Sequence, residues 1–163
     1  AVAMVLVQLM DAGEAYRAID WPVIVLLAAM IPVGQALETT GGAALIAEQI
    51  LTVAQGQAAW VALTIILVGT MLLSNVVNNA AAAILVAPIA LGVSSQLGLA
   101  SDAVLMAVAV GASCAFLTPI GHQSNALVME PAGYRFGDYW RLGLPLSVLV
   151  TVVAVPMILW VWG

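Results

Sequence analysis

The segment Ser74–Asn79 places one hydroxyl (Ser74) and three carboxamides (Asn75, Asn78, Asn79) within six residues, between uncharged apolar runs at 58–73 and 80–100. Ser74 and Asn79 offer hard neutral oxygens of the kind suited to Na⁺. A second polar island follows at Thr118–Asn125, where Thr118, His122 and Asn125 offer groups that could donate hydrogen bonds to an oxyanion. Asn and Ser favour turns and helix N-caps, so Ser74–Asn79 reads as the tip of a helical hairpin. Inside hydrocarbon every polar group needs a partner, which puts such a tip either outside the bilayer or against a cavity.

The second island reads as a broken helix. Pro119 lacks an N–H and in a helix would clash with the Ala115 carbonyl, and Gly121 eases unwinding. A break exposes carbonyls at the end of one half and amides at the start of the next, as the hairpin tip also does. Half-helix ends of this sort bind ions in many transporters, carbonyls and side-chain oxygens holding Na⁺ and amides facing an anion. Bland readings stand beside these: two ordinary loops with N-caps, and His122 as a structural hydrogen-bonding group.

What surrounds the islands is membrane-like. The 163 residues are 64% hydrophobic and 7% charged, against roughly a quarter charged in soluble chains. Mean hydropathy is +1.17. With no Lys and only Arg17, Arg135 and Arg141, a nucleic-acid surface is excluded. Cys114 is alone, so no internal disulfide forms, and it reads as a small buried hydrophobe. The chain opens inside an apolar run without the basic region of a signal peptide, and is expected to be part of a longer polytopic protein.

In order, residues 1–10 resemble the tail of a membrane helix, and Asp11–Asp20 carries a short interfacial helix through Glu14–Ile19. Trp21–Leu37 is a first span with Pro22 in its first turn and a kink expected at Pro32–Gly34, closed by Glu38–Gly42. Residues 43–55 carry an apolar stripe (Leu45, Ile46, Ile50, Leu51, Val53) with Glu48, Gln49 and Gln55 elsewhere, too short to span and suited to the interface. The hairpin arms are 57–73 and 80–97. At about 1.5 Å per residue each reaches across most of the roughly 30 Å core, which leaves a re-entrant hairpin and two full spans both open. Ala103–Leu117, rich in small residues, is interrupted at 118–125 and resumes as Ala126–Met129. Glu130–Trp140 is polar and aromatic, and Leu142–Gly163 is a last span. With Arg17 in the cytoplasm, this path also places Arg135 and Arg141 there, as the distribution of positive charge demands.

No Asp, Glu, Lys or Arg lies inside an apolar run, where proton relays and fixed counter-charges sit. A multiply charged anion would then travel with cations of its own, which favours Na⁺ over H⁺ coupling, with His122 the one titratable exception. An intramembrane enzyme would need a nucleophile–base pair or a metal cluster in the spans. The sequence offers neither, so no catalytic activity is expected.

The two islands together resemble the divalent anion/Na⁺ symporter family, within the superfamily that also holds citrate and arsenite permeases. That family carries Ser-Asn-Thr tips on two re-entrant hairpins and a broken helix whose Pro-containing loop ends in Pro-Asn. Here Asn78-Asn79-Ala80, an Ala-rich helix and Ala87-Pro88-Ile89 match the tip of its second, outward-side hairpin. Ser74 falls on a hydroxyl Na⁺ ligand of the incoming arm, and Ser113–Asn125 matches the second broken helix. Asp20–Ile24 and Gly133–Tyr139 are similar to bacterial members with large cytoplasmic domains between their halves. The departures are Asn78 for Ser, Ala80 for Thr, and His122 and Ser124 for the commoner Thr and Pro. They leave sulfate, a C4-dicarboxylate or another small oxyanion open.

The resemblance implies an all-α polytopic membrane protein, with one re-entrant hairpin and one broken transmembrane helix forming one copy of an inverted repeat. It divides the chain into scaffold and interfacial helices (1–56), transport elements (57–132: hairpin 57–97, broken helix 101–132) and a cytoplasmic loop with the last span (133–163). It implies Na⁺-coupled symport of a small divalent anion by an elevator-like motion, the alternative being a proton-coupled or gradient-driven citrate- or arsenite-type permease. One Na⁺ site would use Ser74, the Val77 carbonyl, Asn79 and the Gly121 carbonyl. The anion would meet Asn78, Asn79, Thr118, His122 and Asn125. No cofactor is implied beyond Na⁺ as coupling ion. The implied partners are the lipid bilayer, the N-terminal half of the transport unit and a second copy in a homodimer. The implied setting is a bacterial inner membrane, with 11–20 and 132–141 cytoplasmic.

Overall fold

The computed structural model describes residues 11–17, 21–54 and 58–163. The apolar run 1–10, the end of the interfacial segment at 18–20 and Gln55 lie outside the described residues. All regular structure among the described residues is helical. It comprises α1 (Ala12–Arg17), α2 (Trp21–Thr39), α3 (Gly42–Ala54), α4 (Ala59–Ser74), α5 (Asn79–Leu97), α6 (Ser101–Ser113), α7 (Gln123–Met129) and α8 (Tyr139–Trp162), with a 3₁₀ turn at Phe136–Asp138 before α8.

The core is the hairpin arm α4 packed against α6, flanked by α5 and α8. Leu63, Ile66, Leu67 and Met71 of α4 are buried with Val93 of α5, Val104, Ala107 and Val108 of α6, and Val155 and Ile158 of α8. Small residues set how closely these helices approach. A Cβ on Gly111 would lie 2.5 Å from the Leu67 carbonyl oxygen, so α6 meets the backbone of α4 itself. This is the kind of small-residue contact that membrane helices use in place of a hydrophobic drive.

α3 turns its alanine face inward, burying Ala43, Ala47, Leu51 and Ala54. Leu45, Ile46 and Val53 are exposed. α2 runs through Pro32 to Thr39, and Gly41, at φ 77°, makes the turn into α3. Two stretches, α5 and Phe136–Trp162, are long and apolar enough among the described residues to cross a bilayer.

The boundaries of the broken helix differ from expectation. α6 ends at Ser113 rather than Leu117, and α7 begins at Gln123 rather than Ala126. The cause at the first end is a competitor for the backbone. Continuing the helix would send the amides of Leu117 and Thr118 to the carbonyls four residues earlier. Both instead donate to the Asn75 side chain, at 2.8 and 3.2 Å. At the second end the His122 ring accepts from the Ser124 amide and caps α7 three residues early. The last span likewise starts earlier, at Tyr139 rather than Leu142.

Candidate functional site

α4 ends at Ser74, the chain turns through Asn75–Asn78, and α5 begins at Asn79. Asn78 is exposed and caps α5, its side-chain oxygen accepting from the Ala80 amide at 2.9 Å. Such a cap leaves the first-turn amides of a 19-residue helix beside the tip, at the positive end of its dipole.

Ser74 is fully buried. Its Oγ lies 2.7 Å from Asn79 Oδ1 and 2.7 Å from the Ala112 carbonyl oxygen. A hydroxyl carries one proton, so with the Asn79 oxygen turned toward it, it donates to one of these acceptors and leaves the other facing bare oxygen. Ala112 is the penultimate residue of α6, and its carbonyl is among those that a helix end leaves without an intrahelical partner. Hydroxyl, carboxamide and carbonyl groups from three helices, α4, α5 and α6, therefore converge at one point. Among the described residues no three His, Cys, Asp or Glu side chains cluster, and the groups around Ser74 named above are all uncharged.

The second island folds directly under this tip. A Cβ on Gly121 would collide with Ala115 Cβ at 2.6 Å and crowd the Ser74 carbonyl oxygen at 3.1 Å, so the loop folds on itself and lies close against the hairpin at this glycine. Thr118 Oγ1 donates to the Asn75 carbonyl at 2.8 Å and accepts from the Gly121 amide at 3.2 Å. The Asn125 amide donates to the Ala115 and Thr118 carbonyls at 2.8 and 3.1 Å. Those are two of the carbonyls freed by the break. With both N–H bonds engaged, Asn125 has its side-chain oxygen left over.

Of the residues marked in the sequence, Ser74, Asn79, Thr118 and Gly121 thus lie in one contiguous cluster, with Asn125 bonded to it through Thr118. Val77 is half-buried in the turn between them. His122 is exposed, with Nδ1 committed to the α7 cap.

Two residues central to the geometry were not among the marked ligands. Asn75 is nine-tenths buried and joins the tip to the break, its Nδ2 donating to the Met71 carbonyl at 2.8 Å while its Oδ1 accepts from Leu117 and Thr118. A carboxamide between two apolar runs was the signal available for it. For Ala112 there was none, since it acts through a carbonyl that every residue carries.

The citrate transporter family matches over residues 1–163. Among individual proteins, an uncharacterized transporter of Synechocystis sp. is 37% identical over 162 residues, covering 99% of this chain and 26% of that protein. An uncharacterized transporter of Escherichia coli is 37% identical over 148 residues, covering 91% and 24%. Sodium/sulfate cotransporter 1 of Chlamydomonas reinhardtii is 33% identical over 155 residues, covering 94% and 18%. The chain spans about a quarter or less of the length of these relatives.

Proposed function

The chain belongs to the citrate transporter family, and from that premise we propose that it forms part of an integral-membrane Na⁺-coupled symporter for a small divalent anion, sulfate or a dicarboxylate. The observation that carries the reading is the Ser74 hydroxyl set between Asn79 Oδ1 and the Ala112 carbonyl, each at 2.7 Å. A Na⁺ ion at this point would take lone pairs from the hydroxyl, carboxamide and carbonyl oxygens that converge there. The carbonyls of Val77 and Gly121 complete the proposed ligand set.

The anion lies beside the ion, against Asn78–Asn79 at the start of α5 and the Thr118–Asn125 loop, where the bound cation and the helix dipole offset its charge. Thr118 orders that loop, and Asn125 acts chiefly by holding it. His122 faces outward and contacts the anion from the rim.

Ion and anion together add to the hydrogen bonds that hold the hairpin against the break. The hairpin, re-entrant in this reading, then moves with the broken helix as a unit past the scaffold helices. The opposite half of the binding site comes from chain outside this segment, and a second copy completes a homodimer. The algal relative's name, sodium/sulfate cotransporter 1, supports both the ion and the anion class.

The second reading is a proton-coupled or gradient-driven permease of citrate or arsenite type. The family's own description, citrate transporter, favours it, as does an exposed histidine at the site. Uptake of radiolabelled sulfate into proteoliposomes of the complete protein separates the two. Stimulation by an inward Na⁺ gradient supports symport, and inhibition by succinate extends the substrate class to dicarboxylates. Sodium-independent uptake whose pH dependence disappears in His122→Ala would replace this reading with the proton-coupled one.

A further inference from the structure

α7 is seven residues long, well below the length at which a helix holds itself together in isolation. Packing does little to hold it, since Ala126, Leu127 and Val128 are all exposed. What fixes it is polar: the His122 cap at its start, the Asn125 side chain toward Ala115 and Thr118, and one bond from the far side. That last bond runs from the Tyr139 hydroxyl to the Asn125 carbonyl at 2.7 Å.

Tyr139 opens α8, and among the described residues its hydroxyl makes the one hydrogen bond that ties the last span to the half-helix. Its ring meets Tyr134 edge-on with centroids 6.1 Å apart. It also borders a cavity of about 340 Å³ shared with Phe116 and Leu142. On that side the ring is not closely packed, which leaves the hydroxyl bond to set its position.

We propose that Tyr139 is a positioning residue for the anion site: by pinning Asn125 it holds α7, and with it the Thr118–Asn125 loop, in the arrangement that receives the anion. This rests on the proposed function in so far as the loop faces the transported anion. The bond itself does not, and the test separates them.

Tyr139→Phe removes one oxygen and leaves the ring, so the fold is retained. Tyr134→Phe removes a hydroxyl from the neighbouring ring and serves as control. Two readouts are taken on the complete protein: deuterium exchange of amides 117–129, and the KM and maximal rate of Na⁺-driven sulfate uptake. A hydrogen bond of ordinary net strength corresponds to roughly three- to tenfold in an equilibrium. Tyr139→Phe is expected to raise exchange over 117–129 by about that factor and to raise the sulfate KM similarly, with the maximal rate within about twofold. Tyr134→Phe is expected to leave both readouts unchanged. If the wild type moves no sulfate, the functional reading fails and exchange alone decides the positioning role. Unchanged exchange in Tyr139→Phe, or an equal effect of Tyr134→Phe, overturns it.

Discussion

The side chain and carbonyl of Asn75 take part in four hydrogen bonds: to the Met71 carbonyl, from the Leu117 and Thr118 amides, and from the Thr118 hydroxyl. Three of the four cross from the hairpin to the broken helix, in a place where water is scarce. Leaving a buried polar group unpaired costs about 1–3 kcal/mol. Asn75→Ala strands two amides at once, and is expected to destabilise the protein by about 2–4 kcal/mol, seen as a lower unfolding temperature of the complete protein. Thr118→Val loses one bond as donor and one as acceptor, and should lower that temperature less, with Thr118→Ser close to wild type. Equal stability of Asn75→Ala and wild type would mean that the hairpin and the break are held by something other than this carboxamide. At this scale the sequence made polar side chains in an apolar field easy to find, hence Ser74, Asn79 and Thr118. It could not show that Asn75 serves structure while its neighbour Ser74 faces the oxygen cluster, because the difference lies in which way each turns at the end of α4.

The helices were legible where apolar pattern and length both spoke, as in α4, α5 and α8. Pro119 marked the break but not its edges. The edges depend on which acceptor wins the amides of Leu117 and Thr118, and that acceptor lies 42 residues earlier in the chain for Leu117. Glycine at 111 and 121 has a matching meaning, since each admits a backbone where a methyl would collide. Gly111→Ala would push α6 off the Leu67 carbonyl and cost about 1–3 kcal/mol, as overpacking does, read from the unfolding temperature. Gly121→Ala would lift the loop from Ser74, and in the Na⁺ reading it weakens sodium activation of uptake more than it weakens stability. A Gly121→Ala protein with wild-type sodium dependence would remove the loop from the ion site. α3 carries a similar lesson, because its bulky stripe was evident while its use of alanines for packing needed α5 beside it, with Gly92 meeting Ala47.

Across the whole chain, the level of the break is tied to the first turns of α8, where Gly143 packs on the backbone of Phe116 and Leu117. From Gly143 to Trp162 the helix rises about 28 Å, comparable to the roughly 24 Å of α4, so the hairpin base lies toward the Trp160 end of α8. We propose, from the arginine distribution, that the Tyr139 end is cytoplasmic. Single cysteines at Ala132 and Gln96, both exposed, in an otherwise cysteine-free complete protein should therefore react with an impermeant thiol reagent from opposite faces, Ala132 from the cytoplasm. Labelling of both from one face would overturn the topology. Composition made the membrane setting plain, whereas the level of the break along α8 needed the Gly143–Phe116 contact, which no periodicity in the sequence carries. The central proposal is a sodium ion held by the oxygens around Ser74, and the most direct measurement is equilibrium binding of radioactive sodium to the purified complete protein and to its Ser74→Ala variant. A sodium site at the tip predicts saturable binding to the wild type and, in Ser74→Ala, roughly a tenfold or greater loss of affinity at one site, the scale of a lost contact to a charged group. Identical binding curves, or no saturable binding to the wild type, would contradict it.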